Sequence, residues 1–335
     1  MRIETAFSKA LGIEIPLICG AMYPCSNPEL VAAASEAGGI GIVQPMALTF
    51  AHGYPLREGL RHIVSLTQKP IGFNAIVEKS VRAYEERMRK WVDIALEEGI
   101  RFFVTALGNP SWVVRKVEQV GGTVYHDVTE RKWAIKAKDA GVHGLICVNA
   151  NAGGHAGTQS LEQLYEALAD LGLPLICAGG LGNGQAFTKA LSVGYAGVQM
   201  GTRFIATREC TAHQDYKSAI INASANDIIL TDKISGVPCS VIRTPYIEKT
   251  GTKANPFAQR LLKGRYSKKA MRTFYSLLSI WQLKKASKKG TSYKDFWAAG
   301  KSVSAVHEEI AVAAIFKEVC EAYEAAQNLI ISTAT

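Results

Sequence analysis

Long apolar runs are missing from this sequence. Nothing approaches the roughly 20 consecutive apolar residues that a membrane-spanning helix needs. The opening Met1-Arg2-Ile3-Glu4-Thr5 leads into no apolar stretch with a small-residue cleavage site, so it does not read as an export signal. Paired cysteines are missing too. The seven cysteines (Cys19, Cys25, Cys147, Cys177, Cys210, Cys239 and Cys320) are odd in number, and no two have CxxC spacing. That argues against a disulfide framework and a thiolate zinc site. Cys19, Cys147 and Cys177 sit in apolar runs, as small core residues do, and a reducing, cytoplasmic compartment is expected. There is no Walker loop, GxGxxG, HExxH or GxSxG.

Acidic residues are scarce in one place. Between Arg260 and Lys301 stand 12 Lys or Arg and a single acid, Asp295, while the rest of the chain carries 26 basic and 28 acidic residues. The formal net charge of +9 is therefore local, and it does not mark the whole protein as a nucleic-acid binder. A solvated helix face is the simplest reading of those lysines.

What is present is a rhythm. The chain has 335 residues, 48% of them hydrophobic, enough to bury a large core. Eight short apolar or β-branched runs recur at 16–19, 39–43, 70–74, 101–105, 122–126, 144–148, 174–178 and 196–200. Continuous rather than alternating apolar runs suit strands of a parallel sheet covered on both faces. The intervals leave room for one crossover helix each. Asn27-Pro28 and Thr129-Glu130 read as helix starts, Gly38 and Gly141 as helix ends, and Gln159–Leu171 and Gly184–Val193 as further helices. The expectation is an α/β (β/α)8 TIM barrel over residues 1–209. A mostly helical C-terminal elaboration over 210–335 would pack on it and close with a long helix from Glu308 to Leu329. A doubly wound sheet is the alternative.

Barrel enzymes keep their chemistry at the C-terminal strand ends. After the seventh and eighth runs stand Ala178-Gly179-Gly180 and Gln199-Met200-Gly201-Thr202, glycine-rich loops where such barrels bind phosphate through backbone N–H groups. After the sixth comes Asn149-Ala150-Asn151-Ala152-Gly153-Gly154-His155, which puts an imidazole with a pKa near neutrality at the rim, a candidate base. Gly20-Ala21-Met22, Asn74 and His126-Asp127 follow or end other runs. Met22 suits an apolar ring face and Asn74 a ring edge needing donor and acceptor. His126-Asp127 reads equally as a satisfied pair fixing the rim.

These pieces, in this order, resemble the nitronate monooxygenase (2-nitropropane dioxygenase) family, related to flavin-dependent enoyl-acyl-carrier-protein reductases. The resemblance rests on Ile15-Pro16, Gly20-Ala21-Met22, Gly72-Phe73-Asn74, His126-Asp127-Val128, Ala152-Gly153-Gly154-His155-Ala156-Gly157, Ala178-Gly179-Gly180 and Gln199-Met200-Gly201-Thr202-Arg203-Phe204, with Trp297-Ala298-Ala299-Gly300 later in the chain. It implies FMN, with Gly179, Gly180, Gly201 and Thr202 on the phosphate and Ala21, Met22, Asn74, Gln199 and Gly153 around the ring. His126 and Met200 would join that shell, and His155 would act on the substrate. The implied reaction is oxidation of alkyl nitronates by dioxygen to a carbonyl compound and nitrite. One stretch departs. Many relatives carry Gln-Gly-x-Glu where this chain has Val148-Asn149-Ala150-Asn151, which bears on the substrate. An NAD(P)H-dependent FMN reductase of an enoyl thioester or quinone is the runner-up, and an acyl carrier protein could then dock on the basic segment. A nucleic-acid-binding protein with an inert barrel carries little weight. The oligomeric state is left open, a homo-oligomer included.

Overall fold

The computed structural model describes residues 1–78, 82–232, 238–253 and 297–334. Eight parallel strands close into one barrel in sequence order: β1 (Leu17–Cys19), β2 (Ile40–Val43), β3 (Gly72–Ile76), β4 (Phe102–Ala106), β5 (Thr123–Val128), β6 (Gly144–Val148), β7 (Leu175–Ala178) and β8 (Gly197–Met200), with β8 returning to β1. All eight runs become strands, and the doubly wound sheet is excluded. Three strands run further than expected, β4 by the single residue Ala106. β3 continues through Ala75 and Ile76, paired with Thr105 and Ala106, and β5 reaches Val128, paired with Cys147. Asn74 and His126 therefore lie within strands rather than at their ends.

Side chains alternate between the barrel interior and the helical coat. Ile18, Ile40, Ile42, Phe102, Val104, Tyr125, Ile146, Ile176 and Ala178 pack with one another inside. Neighbouring strands are staggered by about one residue, so each level inside is filled from alternate strands. The pairing registers give the levels from bottom to top. First come Ile40, Phe102, Gly144 and Gly197. Ile18, Gly72, Tyr125 and Ile176 follow, then Ile42, Val104, Ile146 and Gln199. Gly20, Asn74, Asp127 and Ala178 make the mouth. Large and small residues complement each other below: a Cβ on Gly144 would lie 2.3 Å from the Tyr125 ring, whose volume fills that place.

A helix at Ala6–Leu11, unforeseen in the sequence, plugs the bottom. Thr5 and Ser8 form its capping box. Phe7 enters the barrel, its ring centroid 5.8 Å from Phe102 and 5.4 Å from Tyr125.

Seven helices follow the first seven strands, among them Pro28–Glu36, Arg131–Asp139, Leu161–Leu168 and Gly184–Val193. Asn27 stands at its expected N-cap position without capping. Its amide instead binds Glu29 and the Glu209 carbonyl at 2.9 Å. After β8 come the short helices Thr202–Ile205, Gln214–Asn222 and Pro245–Thr250, and the C-terminal helix Val312–Ala334 packs against Gly184–Val193 and Pro28–Glu36, where an eighth barrel helix belongs. It starts four residues later than expected, because the Glu209 carboxylate takes the Val312 N–H at 3.0 Å. Before it, β9 (Ile228–Thr231) and β10 (Cys239–Ile242) form an antiparallel pair. The basic stretch of Arg260–Lys301 lies outside the described residues except for its end at 297–301.

Replacing Phe7 by Ala should leave a void under Tyr125 and Phe102 and lower stability by roughly 3–5 kcal/mol, read from urea unfolding. A loss under about 1 kcal/mol would mean that the plug does not hold the barrel's lower levels together.

Candidate functional site

The loops after β6, β7 and β8 meet on one side of the mouth. Asn149, fully buried, ties them together. It receives the Asn151 N–H on Oδ1 at 2.8 Å and donates from Nδ2 to the Gly179 carbonyl at 2.8 Å. Gly179 and Gly180 have φ of 115° and 76°, which favours glycine. A Cβ on Gly179 would stand 2.5 Å from Asn149 Oδ1. Next to them, Gly201 is open apart from Met22, whose Sδ would lie 3.5 Å from an added Cβ. The Thr202 hydroxyl accepts the Gly300 N–H at 3.0 Å and keeps its own proton to donate. Gly179, Gly180, Gly201 and Thr202 thus share one cradle.

The ring-facing candidates divide. Ala21 and Met22 follow β1, where the Gly20 N–H joins the ladder by donating to the Met200 carbonyl at 2.9 Å. Gln199 points inward against Gly20. Asn74, 8% exposed, finds no hydrogen-bond partner for its amide among the described residues. Met200 and His126 go the other way. Met200 is buried in the helical coat. His126 also faces outward, its Nδ1 2.8 Å from Thr105 Oγ1, whose own proton goes to the Tyr125 carbonyl at 3.1 Å. His126-Asp127 is therefore not a satisfied pair: strand alternation sends the two side chains to opposite faces. Asp127 turns into the barrel, and its Oδ1 is buried without a hydrogen-bond partner. Burial lowers the His126 pKa to about 4 and raises that of Asp127 to about 7.

His155 is exposed on the loop between β6 and Leu161–Leu168. That loop is clamped from outside the barrel. Ser240 of β10 donates to the Gly154 carbonyl at 2.7 Å and accepts the Gly154 N–H at 3.2 Å. The late segment Trp297–Gly300 lies against it so closely that a Cβ on Gly153 would be 2.8 Å from Gly300 N. Trp297 stacks on Tyr216 with centroids 5.8 Å apart and 12° between planes. Arg203, from the Thr202-Arg203-Phe204 piece, is buried and donates to the Glu308 carbonyl at 3.3 Å, holding the C-terminal segment and not a ligand. Sequence reasoning missed Asn149, Asp127 as an independent group, and Ser240. Only Asp127 had left a signal, an acid placed in register with inward-facing neighbours.

These residues fit a phosphate-bearing planar cofactor. The glycine cradle exposes N–H groups, and unpartnered polar groups stand in the mouth level below. No described helix is long and apolar enough to cross a membrane. Among the described residues, no group of three or more His, Cys, Asp or Glu could hold a metal.

A family model described as nitronate monooxygenase matches residues 4–322. Among curated relatives, the (3aS,4S,5R,7aS)-5-hydroxy-7a-methyl-1-oxo-octahydro-1H-indene-4-carboxyl-CoA dehydrogenase of Mycobacterium tuberculosis is 30% identical over 285 residues, 83% of this chain and 78% of that protein. The nitronate monooxygenase of Pseudomonas aeruginosa is 28% identical over 273 residues, 69% of this chain and 77% of that protein. Among solved structures, FabK from Thermotoga maritima superposes with a TM-score of 0.80 at 26% identity, over 99% of each chain.

His126 and Asp127 pull stability in opposite directions with pH. For His126 the folded value, about 4, lies below the unfolded 6.5, so stability is intact above pH 6.5 and falls as pH drops toward 4. For Asp127 the folded value, about 7, lies above the unfolded 3.8, so stability is intact below 3.8 and falls as pH rises through 7. The ligand-free protein should show a nearly flat unfolding free energy between pH 5 and 6.5, where the slopes cancel. His126→Gln should lose stability as pH rises across that window and Asp127→Asn as pH falls, each by about 2 kcal/mol at most. Urea unfolding at several pH values reads both, and matching profiles in the two variants would refute the assignment.

Proposed function

The chain belongs to the nitronate monooxygenase family and is an oxidoreductase of that type, and on that premise we propose that it oxidises alkyl nitronates with FMN and dioxygen, giving a carbonyl compound and nitrite. The observation that carries this reading is the mouth of the barrel. A glycine cradle held by Asn149 stands beside inward polar side chains at Asn74, Asp127 and Gln199, over lower levels filled with apolar residues. Gly179, Gly180, Gly201 and Thr202 would hold the phosphate, and Ala21, Met22, Asn74, Gln199 and Gly153 would enclose the ring. FMN, when bound, supplies the electron acceptor and the route to dioxygen. The protein's own part is placement, exclusion of water and handling of charge. His155, protonated, would offset the negative charge of a nitronate; neutral, it would take the α-proton of a nitroalkane. The seven free cysteines favour a reducing, cytoplasmic setting.

A second reading has a specific observation behind it. The Mycobacterium tuberculosis relative is named for a coenzyme A thioester substrate, and the apolar inner wall at Val148 suits a neutral thioester better than an anionic nitronate. On this reading the same site would work on an acyl or enoyl thioester, with NAD(P)H as reductant where the substrate is unsaturated.

Anaerobic mixing separates the two. Bleaching of the visible flavin band by propionate 3-nitronate, but not by NADPH or NADH, is the expected result; rapid bleaching by a nicotinamide alone would overturn the nitronate reading. If His155 is the base, His155→Asn should reduce activity at least tenfold more with a neutral nitroalkane than with its preformed nitronate. Equal losses on both would remove proton abstraction from its role.

A further inference from the structure

We infer that Asp127 belongs to the cofactor site, where its carboxyl group, in the protonated form, donates a hydrogen bond to an acceptor atom on the polar edge of the flavin ring. The inference rests on the flavin reading above.

Four observations support it. The first is level. The pairing registers put Asp127 on the mouth level with Gly20, Asn74 and Ala178. Two of those four positions carry almost no side chain, so on this level the two polar side chains stand opposite little side-chain volume. The second is direction: Asp127 lies in register with Ile146, which packs inside the barrel. The third is want of a partner. Oδ1 is buried without a hydrogen bond, and a buried polar atom in that condition calls for an unseen occupant. The fourth is the absence of a counter-charge among the described residues of the surrounding elements. β4 presents Val104 and Ala106, β6 presents Ile146 and Val148, β7 presents Ala178 and β3 presents Asn74, none of them charged. Cys147, on the outer face of β6, feels Asp127 but is itself held neutral by burial. Within β5, Tyr125 below is also kept neutral by burial, and His126 points away. His155 is the one titratable group on the neighbouring loop that rises over the mouth.

Among the described residues an ionised carboxylate here has no compensating charge, whereas a carboxylic acid is a donor facing an acceptor-rich ring edge. Asn74, on the same level, can give and take one hydrogen bond each. Together the two side chains can read the ring's alternating donors and acceptors, which the glycine cradle, binding only phosphate, cannot do.

The test is FMN binding by flavin-stripped protein, followed by quenching of flavin fluorescence from pH 5.5 to 8.5, for wild type, Asp127→Asn and Asp127→Ala. Asparagine is a permanent donor of nearly the same shape. The ratio of wild-type to Asp127→Asn affinity removes the titration of the FMN phosphate itself, which falls near pH 6. The expected result is a ratio that is level below pH 6.5 and falls toward tenfold per pH unit above pH 7.5, with Asp127→Ala at least tenfold weaker than wild type at pH 6. A pH-independent ratio, or FMN held by Asp127→Ala as tightly as by wild type, would overturn the role of Asp127 and leave the flavin reading standing. Wild type that binds no FMN at any pH would overturn that reading and this inference with it.

Discussion

A closed ring of eight strands encloses a cylinder that its own side chains must fill, and everything else in this protein follows from how that cylinder is filled. From the bottom level up to Ile42, Val104 and Ile146, the filling is close and, apart from Gln199 at the upper edge, apolar. The Ala6–Leu11 helix pushes Phe7 in from below, and the Tyr125 ring occupies the place that Gly144 vacates. At the mouth the filling stops: Gly20 and Ala178 contribute little volume, and Asn74 and Asp127 contribute polarity without partners. A barrel so built is stable from below and unfinished above. The unfinished level is where a ligand can repay the cost of burying polar groups.

The mouth is held open in a fixed shape by parts of the chain distant in sequence. Asn149 fastens the β6 loop to the β7 loop. Ser240 of the β9–β10 pair and the Trp297–Gly300 segment clamp Gly153 and Gly154 from outside, and Gly300 also donates to Thr202. The glycine cradle and the His155 loop are thus joined through residues beyond the barrel. The Val312–Ala334 helix, in the place of an eighth barrel helix, brings that strap home through Glu209, Glu318 and Arg203. This dependence gives the C-terminal part a role in shaping the site, and it explains why glycine is needed at 153 and 300, where the two backbones pass within contact of each other.

Much of this was legible in the sequence, for definite reasons. Continuous apolar runs separated by helix-length intervals have few solutions other than a barrel of βα units, and glycines after the seventh and eighth runs have a known use there. Facing was less legible. Strand ends read from apolar runs stop at the first polar residue, so Asn74 and His126 were placed at strand termini, when the ladder in fact continues past both. Facing alternates residue by residue along the ladder, and apolar runs buried on both faces do not show its phase. That is why His126 and Met200, named with the ring-facing residues, lie in the coat, and why Asp127 passed for the partner of its neighbour. Contacts such as Asn149 to Gly179 join distant positions and leave no periodic trace.

The departure at residues 148–151 reads differently with the structure in view. Where many relatives have Gln-Gly, this chain has Val148-Asn149. Val148 points into the barrel beside Ala178, so the inner wall on β6 is apolar there. Asn149 turns its amide to the glycine cradle, a role that glycine could not fill. One substitution thus removes a polar group from the wall above the mouth level, and the next spends a polar group on fixing the loops. The polarity lost from β6 has its counterpart one strand away, in Asp127 of β5. A carboxyl in place of a carboxamide changes what the site can tolerate, because an acid that burial holds neutral becomes a costly charge if it ionises. On the proposed reading, cofactor binding and substrate choice would meet at this one strand position, where an apolar β6 wall stands beside a carboxyl that burial keeps protonated.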